Sequence, residues 1–257
     1  MTSAVARPGS APAAATSVLL GLLGAGCSSF IEVPVETPLQ SKLDVASFRR
    51  ILVAGFATEP GSSDIDVVPE TIRLIQNQLR NGTGLRVLEP DMPPLQEELD
   101  RAMLALGESD ALSRDQREQY KLQAERILGD AEFWLKLGEE YQNPLIVTGR
   151  VDFEEQNRSG FQTQERVVRD GSGRPRLVRG NRYMERKGFA LTADFHFVDG
   201  RTGLLLHKER FTEEVLYGAD QQISPLSSYF ELMDRLLPNL LGVISPQKIR
   251  GTRILLH

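Results

Sequence analysis

The stretch from Arg182 to Phe211 reads RYMERKGFALTADFHFVDGRTGLLLHKERF and decides the fold of this chain. Between Phe189 and Val198, apolar residues alternate with a mixed set, which is the period-two pattern of a strand with one buried face. The apolar set is Phe189, Leu191, Ala193, Phe195 and Phe197. The glycines of Asp199-Gly200-Arg201-Thr202-Gly203 allow the chain to reverse before Leu204 to Phe211 runs back. We therefore predict a long β-hairpin and expect the sheet to be built on it.

The residues that precede this hairpin predict an α/β fold. Ile51 to Phe56 is a continuous apolar run, typical of a strand buried on both faces. Helical spacing of apolar residues follows over Pro69 to Asn81, and Leu85 to Glu89 predicts another strand. A strand, a helix and a strand at this spacing form a βαβ-like unit. Leu145 to Phe153 predicts one more strand before the hairpin.

The C-terminal part completes the expected fold class. Leu226 to Val243 carries apolar residues at helical spacing, and Pro238 must kink or divide this helix. Ile249 to Leu256 predicts a last short strand. The expected architecture is α/β, a mixed β-sheet with a long antiparallel hairpin, flanked by helices.

Composition excludes several classes of protein. The 257 residues carry a formal net charge of -5, and the sequence pI is near 5.4, so the basic footprint of a general nucleic-acid-binding protein is absent. The single cysteine excludes an intramolecular disulfide. No apolar run reaches the ~18 residues expected of a spanning helix.

The N-terminus has the features of a lipoprotein signal peptide. Ser17 to Gly26 is a short apolar core that ends in small residues, directly before Cys27. That pattern matches a secretory signal and is too short for a transmembrane helix. The alternative is that Cys27 is a buried core cysteine in an ordinary helix. The small residues directly before Cys27 resemble the lipobox of bacterial lipoproteins. We therefore predict a signal peptide over 1–26 and lipidation of Cys27.

The predicted lipidation sets the expected location and domain organisation. Buried acyl groups, at about 0.8 kcal/mol for each CH₂, would hold the protein on a membrane surface. Ser28 follows the cysteine, which resembles lipoproteins that are sorted by default to the outer membrane. We therefore expect a lipid anchor on the periplasmic side of the outer membrane. We predict a lipidated tether over 27–47 and a single α/β domain over 48–257. That domain contains a helical insert at about 95–141 and a basic hairpin at about 154–187.

The order of elements resembles a family of periplasmic lipoproteins. The lipobox, the early ILVAGF strand, the strand ending in TGRV, and Val198-Asp199-Gly200-Arg201-Thr202-Gly203 with its return strand carry this resemblance. It is to proteins related to CsgG, the N-terminal domain of TolB and the LpoB-type activators. The resemblance covers roughly residues 48 to 245. It implies a non-enzymatic protein that acts in envelope assembly, secretion or transport by binding a partner.

The resemblance also implies an alternative, a subunit of an oligomeric CsgG-like outer-membrane secretion channel. That branch of the family inserts hairpins at about the position of the basic hairpin to form a membrane barrel. Membrane strands need alternating lipid-facing apolar residues over about ten positions. Residues 162–168 do not provide this alternation. This alternative implies a homo-oligomer.

Arginines concentrate in the basic hairpin at about 154–187. They form the candidate partner-binding site: Arg166, Arg169, Arg174, Arg176, Arg179, Arg182 and Arg186. One interpretation is a solvated loop in an acidic protein. The functional interpretation is a contact surface for an anionic partner, such as an envelope protein or anionic lipid.

Catalytic and metal chemistry have little support in the sequence. His196 and His207 lie on opposite arms of the predicted hairpin and could approach each other, but structural zinc sites normally use four ligands. Asp152, Glu154 and Glu155 could be paired carboxylates of a hydrolase. Nothing in the sequence fixes their spacing or raises a pKa among them. We predict no metal, no cofactor and no catalytic residues, with an envelope hydrolase as a third hypothesis.

Overall fold

A computed structural model describes residues 30–61, 65–106, 113–218, 221 and 223–256. The predicted signal peptide and Cys27 lie outside the described residues. Contacts between residues divide the chain into two compact units, with the division falling after Pro38 and after Gln247. Within the described part of the chain, no helix combines the length and the apolar character needed to cross a membrane.

The larger unit, Leu39–Gln247, contains a five-stranded mixed sheet in the order β3-β2-β4-β5-β6. Its strands are β2 (Arg50–Ala57), β3 (Arg86–Leu88), β4 (Leu145–Arg169), β5 (Pro175–Asp199) and β6 (Leu205–Gly218). β2 pairs in parallel with β3 and β4, whereas β4, β5 and β6 pair antiparallel. The predicted fold class, a mixed sheet built around a long antiparallel hairpin and flanked by helices, is confirmed.

Five helices of the described chain belong to this unit. They are α1 (Val68–Gly82), α2 (Pro94–Leu106), α3 (Arg114–Leu128), α4 (Ala131–Glu140) and α5 (Pro225–Ile244). α3 begins with a capping box between Ser113 and Gln116. Asp130 caps α4 by accepting hydrogen bonds from the backbone N–H groups of Glu132 and Phe133. Such side-chain oxygens satisfy backbone donors that the first turn of a helix leaves free.

One face of the sheet packs against α1 and α5. The apolar alternation that predicts the hairpin supplies this face, and all five of its residues from Phe189 to Phe197 are buried. Ile75 and Leu79 of α1 are fully buried in the same core. The other face packs against α2, α3 and α4 around Trp134 and Ile146. β2 is therefore buried on both faces, as the sequence predicts.

The turn between β5 and β6 is closed by the side chain of Asp199. Its carboxylate accepts hydrogen bonds from the backbone N–H and the guanidinium of Arg201 at 2.9 Å, and the Arg201 guanidinium lies 4.7 Å from the ring centroid of Phe48. Gly203 has a φ of 69°, a conformation that favours glycine. The turn therefore brings β6 back beside β5 in the predicted hairpin.

Helix α5 differs from the sequence-based expectation at Pro238. The helix continues through this proline from Pro225 to Ile244 and is not divided. Leu236, Leu237 and Leu240 are buried on its inner side, while Pro238 is exposed. Packing of the apolar side holds the helix together, and water can reach the carbonyl that loses its partner on the exposed side.

The smaller unit corrects the predicted tether. Residues 27–47 were expected to form an extended tether, but β1 (Phe30–Leu39) pairs with β7 (Gln247–Leu256) in a two-stranded sheet. Glu36 forms ion pairs with Lys248 at 3.5 Å and with Arg250 at 3.0 Å. Pro34 and Pro38 suggested a tether, yet a two-stranded sheet has only edge strands, where proline is tolerated. The last strand therefore belongs to this unit, and the boundaries differ from the predicted domain over 48–257.

Candidate functional site

The basic hairpin is an extension of the two central strands. β4 and β5 stay paired without interruption from Leu145–Asp199 to Arg169–Pro175, whereas β6 pairs with β5 only from Arg186 onward. We call the part from Ser159 to Glu185 the arm, because its two strands pair only with each other. At ~3.3 Å per residue, each of its strands spans about 35 Å. The sequence predicted the Leu145 to Phe153 strand and the basic hairpin at about 154–187 as separate elements, because polar residues hide the continuity of the ladder.

The tip of the arm is a turn organised by Asp170. Its carboxylate accepts hydrogen bonds from the backbone N–H groups of Ser172 and Arg174 and from the Ser172 hydroxyl, at 2.6–3.0 Å. These bonds hold the pKa of Asp170 below its ordinary value. Gly173 has a φ of 78°. This turn sets the register of the whole arm, because the position of the turn fixes which residues of the two strands are paired.

The predicted arginines are divided between the faces of the arm. Side chains alternate between faces along a strand, and directly paired residues share a face. Arg166, Arg176 and Arg186 therefore lie on one face, and Arg169 and Arg179 on the other. Arg179 forms an ion pair with Glu165. Arg174 lies in the tip turn, and the side chain of Arg182 lies outside the described residues.

Exposed apolar residues on the arm were missed by the sequence analysis. Phe161 is paired with Tyr183, and their ring centroids are 5.5 Å apart. Their exposed fractions are 77% and 52%. Val167 and Leu177 form a second exposed pair on the same face. Both pairs are symmetric about the tip turn, so they become visible once the two strands are aligned in register. Along each strand the apolar residues are six positions apart and form no regular alternation.

A groove of charged residues lies at the base of the arm, on the sheet face that α3 and α4 cover only in part. Arg150 of β4, Asp194 of β5 and Arg210 of β6 are direct cross-strand neighbours. Lys208 lies opposite His196 in the next position along the sheet. Cavities of about 500 and 430 Å³ open on this groove and share Arg150, Asp194 and Arg210.

The ion pairs within the groove are unequal. Both carboxylate oxygens of Asp194 accept hydrogen bonds from the Arg210 guanidinium at 2.6 Å, which lowers the pKa of Asp194. Arg150 has a weaker partner, since its Nε lies 3.8 Å from Asp152 Oδ2. The other Asp152 oxygen accepts the backbone N–H of Glu59 at 2.9 Å.

Asp152 corrects the sequence-based view of its environment. We expected nothing to raise its pKa, but burial does so, against the opposing effects of the Glu59 hydrogen bond and of Arg150. Glu154 and Glu155 are exposed, but they do not end the strand, because β4 continues past them to Arg169. The two aspartates of the groove therefore differ: Asp152 is partly desolvated, whereas both oxygens of Asp194 are hydrogen-bonded to Arg210.

The two histidines of the hairpin are on opposite faces. His196 lies in the groove, whereas His207 is paired with Phe197 and its Nε2 lies 2.9 Å from Glu209 Oε2. A site that contains both is therefore not formed. No cluster of three or more potential metal-binding side chains occurs among the described residues.

Burial of His196 is expected to make stability depend on pH. Burial and the neighbouring Lys208 lower the pKa of His196 from 6.5 to about 4, although Asp194 opposes them. The unfolded state therefore binds this proton more readily, so unfolding becomes easier as pH falls from 6.5 towards 4. The full shift corresponds to about 3 kcal/mol, and solvent screening of the partly buried ring reduces the expected loss to about 1–2 kcal/mol.

Urea unfolding at pH 7 and pH 4.5 measures this dependence. The loss of unfolding free energy on acidification is expected to be smaller in His196→Gln than in the wild type. His207→Gln is the control, because it removes a histidine from the other face of the hairpin. An equal loss in the wild type and in His196→Gln would contradict the prediction.

Comparisons with known proteins give a distant structural likeness. No protein-family model and no curated protein matches the chain. The chain is similar to the solved structure of the PelC L103M dodecamer from Paraburkholderia phytofirmans, with 12% identity and a TM-score of 0.35. The match covers 84% of this chain and 99% of that one. A likeness at this level carries no argument about function, so the resemblance to proteins related to CsgG, TolB and LpoB stays a prediction.

Proposed function

We propose that this protein is a non-enzymatic outer-membrane lipoprotein, anchored through Cys27, that binds an envelope protein partner through its arm. The observation that carries the proposal is the arm itself. All of its side chains that the structure describes are exposed, and β6 pairs with β5 only from Arg186 onward, beyond the arm. A two-stranded hairpin without a packed face is only marginally stable in water. A partner that covers the arm would supply the missing packing.

The apolar face of the arm supports a protein as that partner. Phe161, Tyr183, Val167 and Leu177 form two exposed cross-strand pairs, and exposed apolar groups of this size are typical of interaction surfaces. Aromatic residues dominate the binding energy of most protein interfaces. The arginines of the arm add a polar rim and favour an acidic partner surface.

Charged residues on both faces weigh against the alternative of a secretion-channel subunit. Arg166 and Arg176 lie on one face of the arm, and Glu165 with Arg179 on the other. A strand pair that faces lipid needs an uninterrupted apolar face. A lipoprotein that binds a protein partner through its arm therefore remains the proposal.

A photo-crosslinking amino acid in the arm tests this function in the native cell. Placed at Val167, it is expected to give discrete adducts with a protein partner, whereas placement at Leu122, an exposed position on α3, should not. In the double variant Phe161→Ser, Tyr183→Ser, the Val167 adduct should fall at least about tenfold, because two aromatic contacts of more than ~1 kcal/mol each are lost.

Folding of the double variant is checked by the fluorescence of Trp134, a buried residue of α4 that packs in the core of the larger unit. Both substituted residues are exposed, so unfolding should change little. Adducts of equal intensity at Leu122, or a Val167 adduct that survives the double substitution, would contradict partner binding through the arm.

A further inference from the structure

We infer that the end of the groove beside α3 and α4 is a binding site for a small amphipathic oxyanion, a molecule with one anionic head and an apolar body. This site goes beyond the proposed function, because it lies at the base of the arm and requires no protein partner. Its cavity of about 500 Å³ is within the ~300–1,000 Å³ range of small-molecule sites.

Positive charge without a hydrogen-bonded carboxylate is the first observation that supports this site. Arg150, Lys208 and Arg210 all line the cavity. Two carboxylates line it as well: Asp194 gives both oxygens to Arg210, and Glu125 of α3 is exposed and forms no ion pair with the described residues. Arg150 and Lys208 therefore lack a hydrogen-bonded carboxylate, and an oxyanion would offset the cost of keeping them in a partly desolvated space.

Arg150 is the clearest case of an unmet interaction. Its Nη2 atom is buried and has no hydrogen-bond partner among the described residues. Its separation of 3.8 Å from Asp152 is too long for a hydrogen bond. Lys208 likewise forms no ion pair with the described part of the chain, and its side chain is exposed at the mouth of the cavity.

His196 lies between these two cations and is suited to a neutral polar contact. It is directly opposite Lys208 and two positions from the residue paired with Arg150. Its Nδ1 is also buried without a partner in the described structure. A neutral imidazole can donate one hydrogen bond to an oxyanion without adding to the charge repulsion between Arg150 and Lys208.

Apolar residues make up most of the remaining lining and give the ligand its second property. Leu128 and Trp134 come from the helices, Leu204 from the turn before β6, and Leu205 from the first position of β6. Leu204 and Leu205 are 59% and 52% exposed, although they adjoin the cationic end of the groove. An apolar body bound here would cover them while its anionic head contacts Arg150 and Lys208.

A matched pair of dyes tests the inference directly. 8-Anilinonaphthalene-1-sulfonate carries an anionic sulfonate, and N-phenyl-1-naphthylamine has the same rings without that group. The full chain is used with Cys27→Ala, so that no detergent competes for the dyes. We expect Lys208→Gln and Arg150→Gln each to weaken binding of the sulfonate dye about tenfold, the typical loss of one charged hydrogen bond. Binding of the neutral dye should change less than about twofold by the same reasoning.

Controls separate this result from general dye binding and from loss of folding. Lys187→Gln removes the same charge from the opposite face of β5 and should leave the affinity of the sulfonate dye unchanged. Unchanged binding of the neutral dye in the groove variants shows that the pocket is intact. Sulfonate binding that does not respond to Lys208→Gln, an equal loss for both dyes, or no saturable binding at all would overturn the inference.

Competition then separates the two sources of oxyanion. Octanoate and octyl phosphate present a carboxylate and a phosphate on the same apolar chain, and displacement of the sulfonate dye by either supports the site and names the head group. 1-Octanol is the neutral reference. Displacement by 1-octanol as strong as by both anions would overturn the requirement for an anion. Because this assay contains no partner, its failure is independent of the crosslinking result for the arm.

Discussion

Substitution of Cys27 by alanine is expected to abolish palmitate labelling of the protein and to release it from the outer-membrane fraction. Each buried acyl CH₂ contributes about 0.8 kcal/mol to membrane binding, so loss of the lipid removes the dominant attachment. The bound fraction should fall from nearly all of the protein to background. Metabolic labelling followed by membrane fractionation measures both effects in the same cells.

The neighbouring substitution Ser29→Ala is the control for the cysteine variant. It changes a small residue close to the predicted lipidation site and should leave both labelling and fractionation as in the wild type. A wild-type protein that is unlabelled and remains outside the membrane fraction would disprove the lipoprotein hypothesis. The larger unit would then be a domain whose location has to be found by other means.

Replacement of Gly149 by alanine is expected to destabilise the larger unit by about 4 kcal/mol or more, a large part of the unfolding free energy of a typical domain. Gly149 has a φ of 143°, a conformation that residues with a side chain rarely adopt. An added Cβ would lie 1.8 Å from the carbonyl oxygen of Asp194. Neither backbone can move easily, because β4 and β5 are paired along their whole length.

Urea unfolding followed by the fluorescence of Trp134, the single tryptophan, measures this loss. Gly160→Ala is the matched control on the same strand, since an added Cβ there meets no other atom within 4 Å. Its unfolding free energy should stay within about 0.5 kcal/mol of the wild type. A Gly149→Ala protein as stable as Gly160→Ala would contradict the close contact between β4 and β5.

The core of the larger unit follows from the apolar pattern alone. Residues 189–197 alternate along one strand, and the structure buries that set against α1 and α5. Ile51 to Phe56 form a continuous apolar run and become a strand covered on both faces. In both cases the hydrophobic effect acts on a local pattern, so a strand and its buried face are predictable from neighbouring residues.

The same reasoning is insufficient for the arm. Its residues form one ladder with the core strands, but the core packing that makes alternation visible stops near Phe153 and Phe189. Beyond that point neither face is buried, so polar and apolar residues carry no regular pattern. The grouping of Phe161 with Tyr183, and the division of the arginines between two faces, depend on the register set at the tip turn.

The sequence by itself determined the α/β class, the hairpin and its turn, because these depend on interactions between residues that are close in the chain. Only the tertiary structure decided the groove, since Arg150, Asp194 and Arg210 come from three strands and meet through the register of two hairpins. It also decided that β1 pairs with β7, where Glu36 and Arg250, far apart in the sequence, form an ion pair. Charged side chains carry no periodic signal of their own, so their partners emerge only when the backbone has placed them side by side.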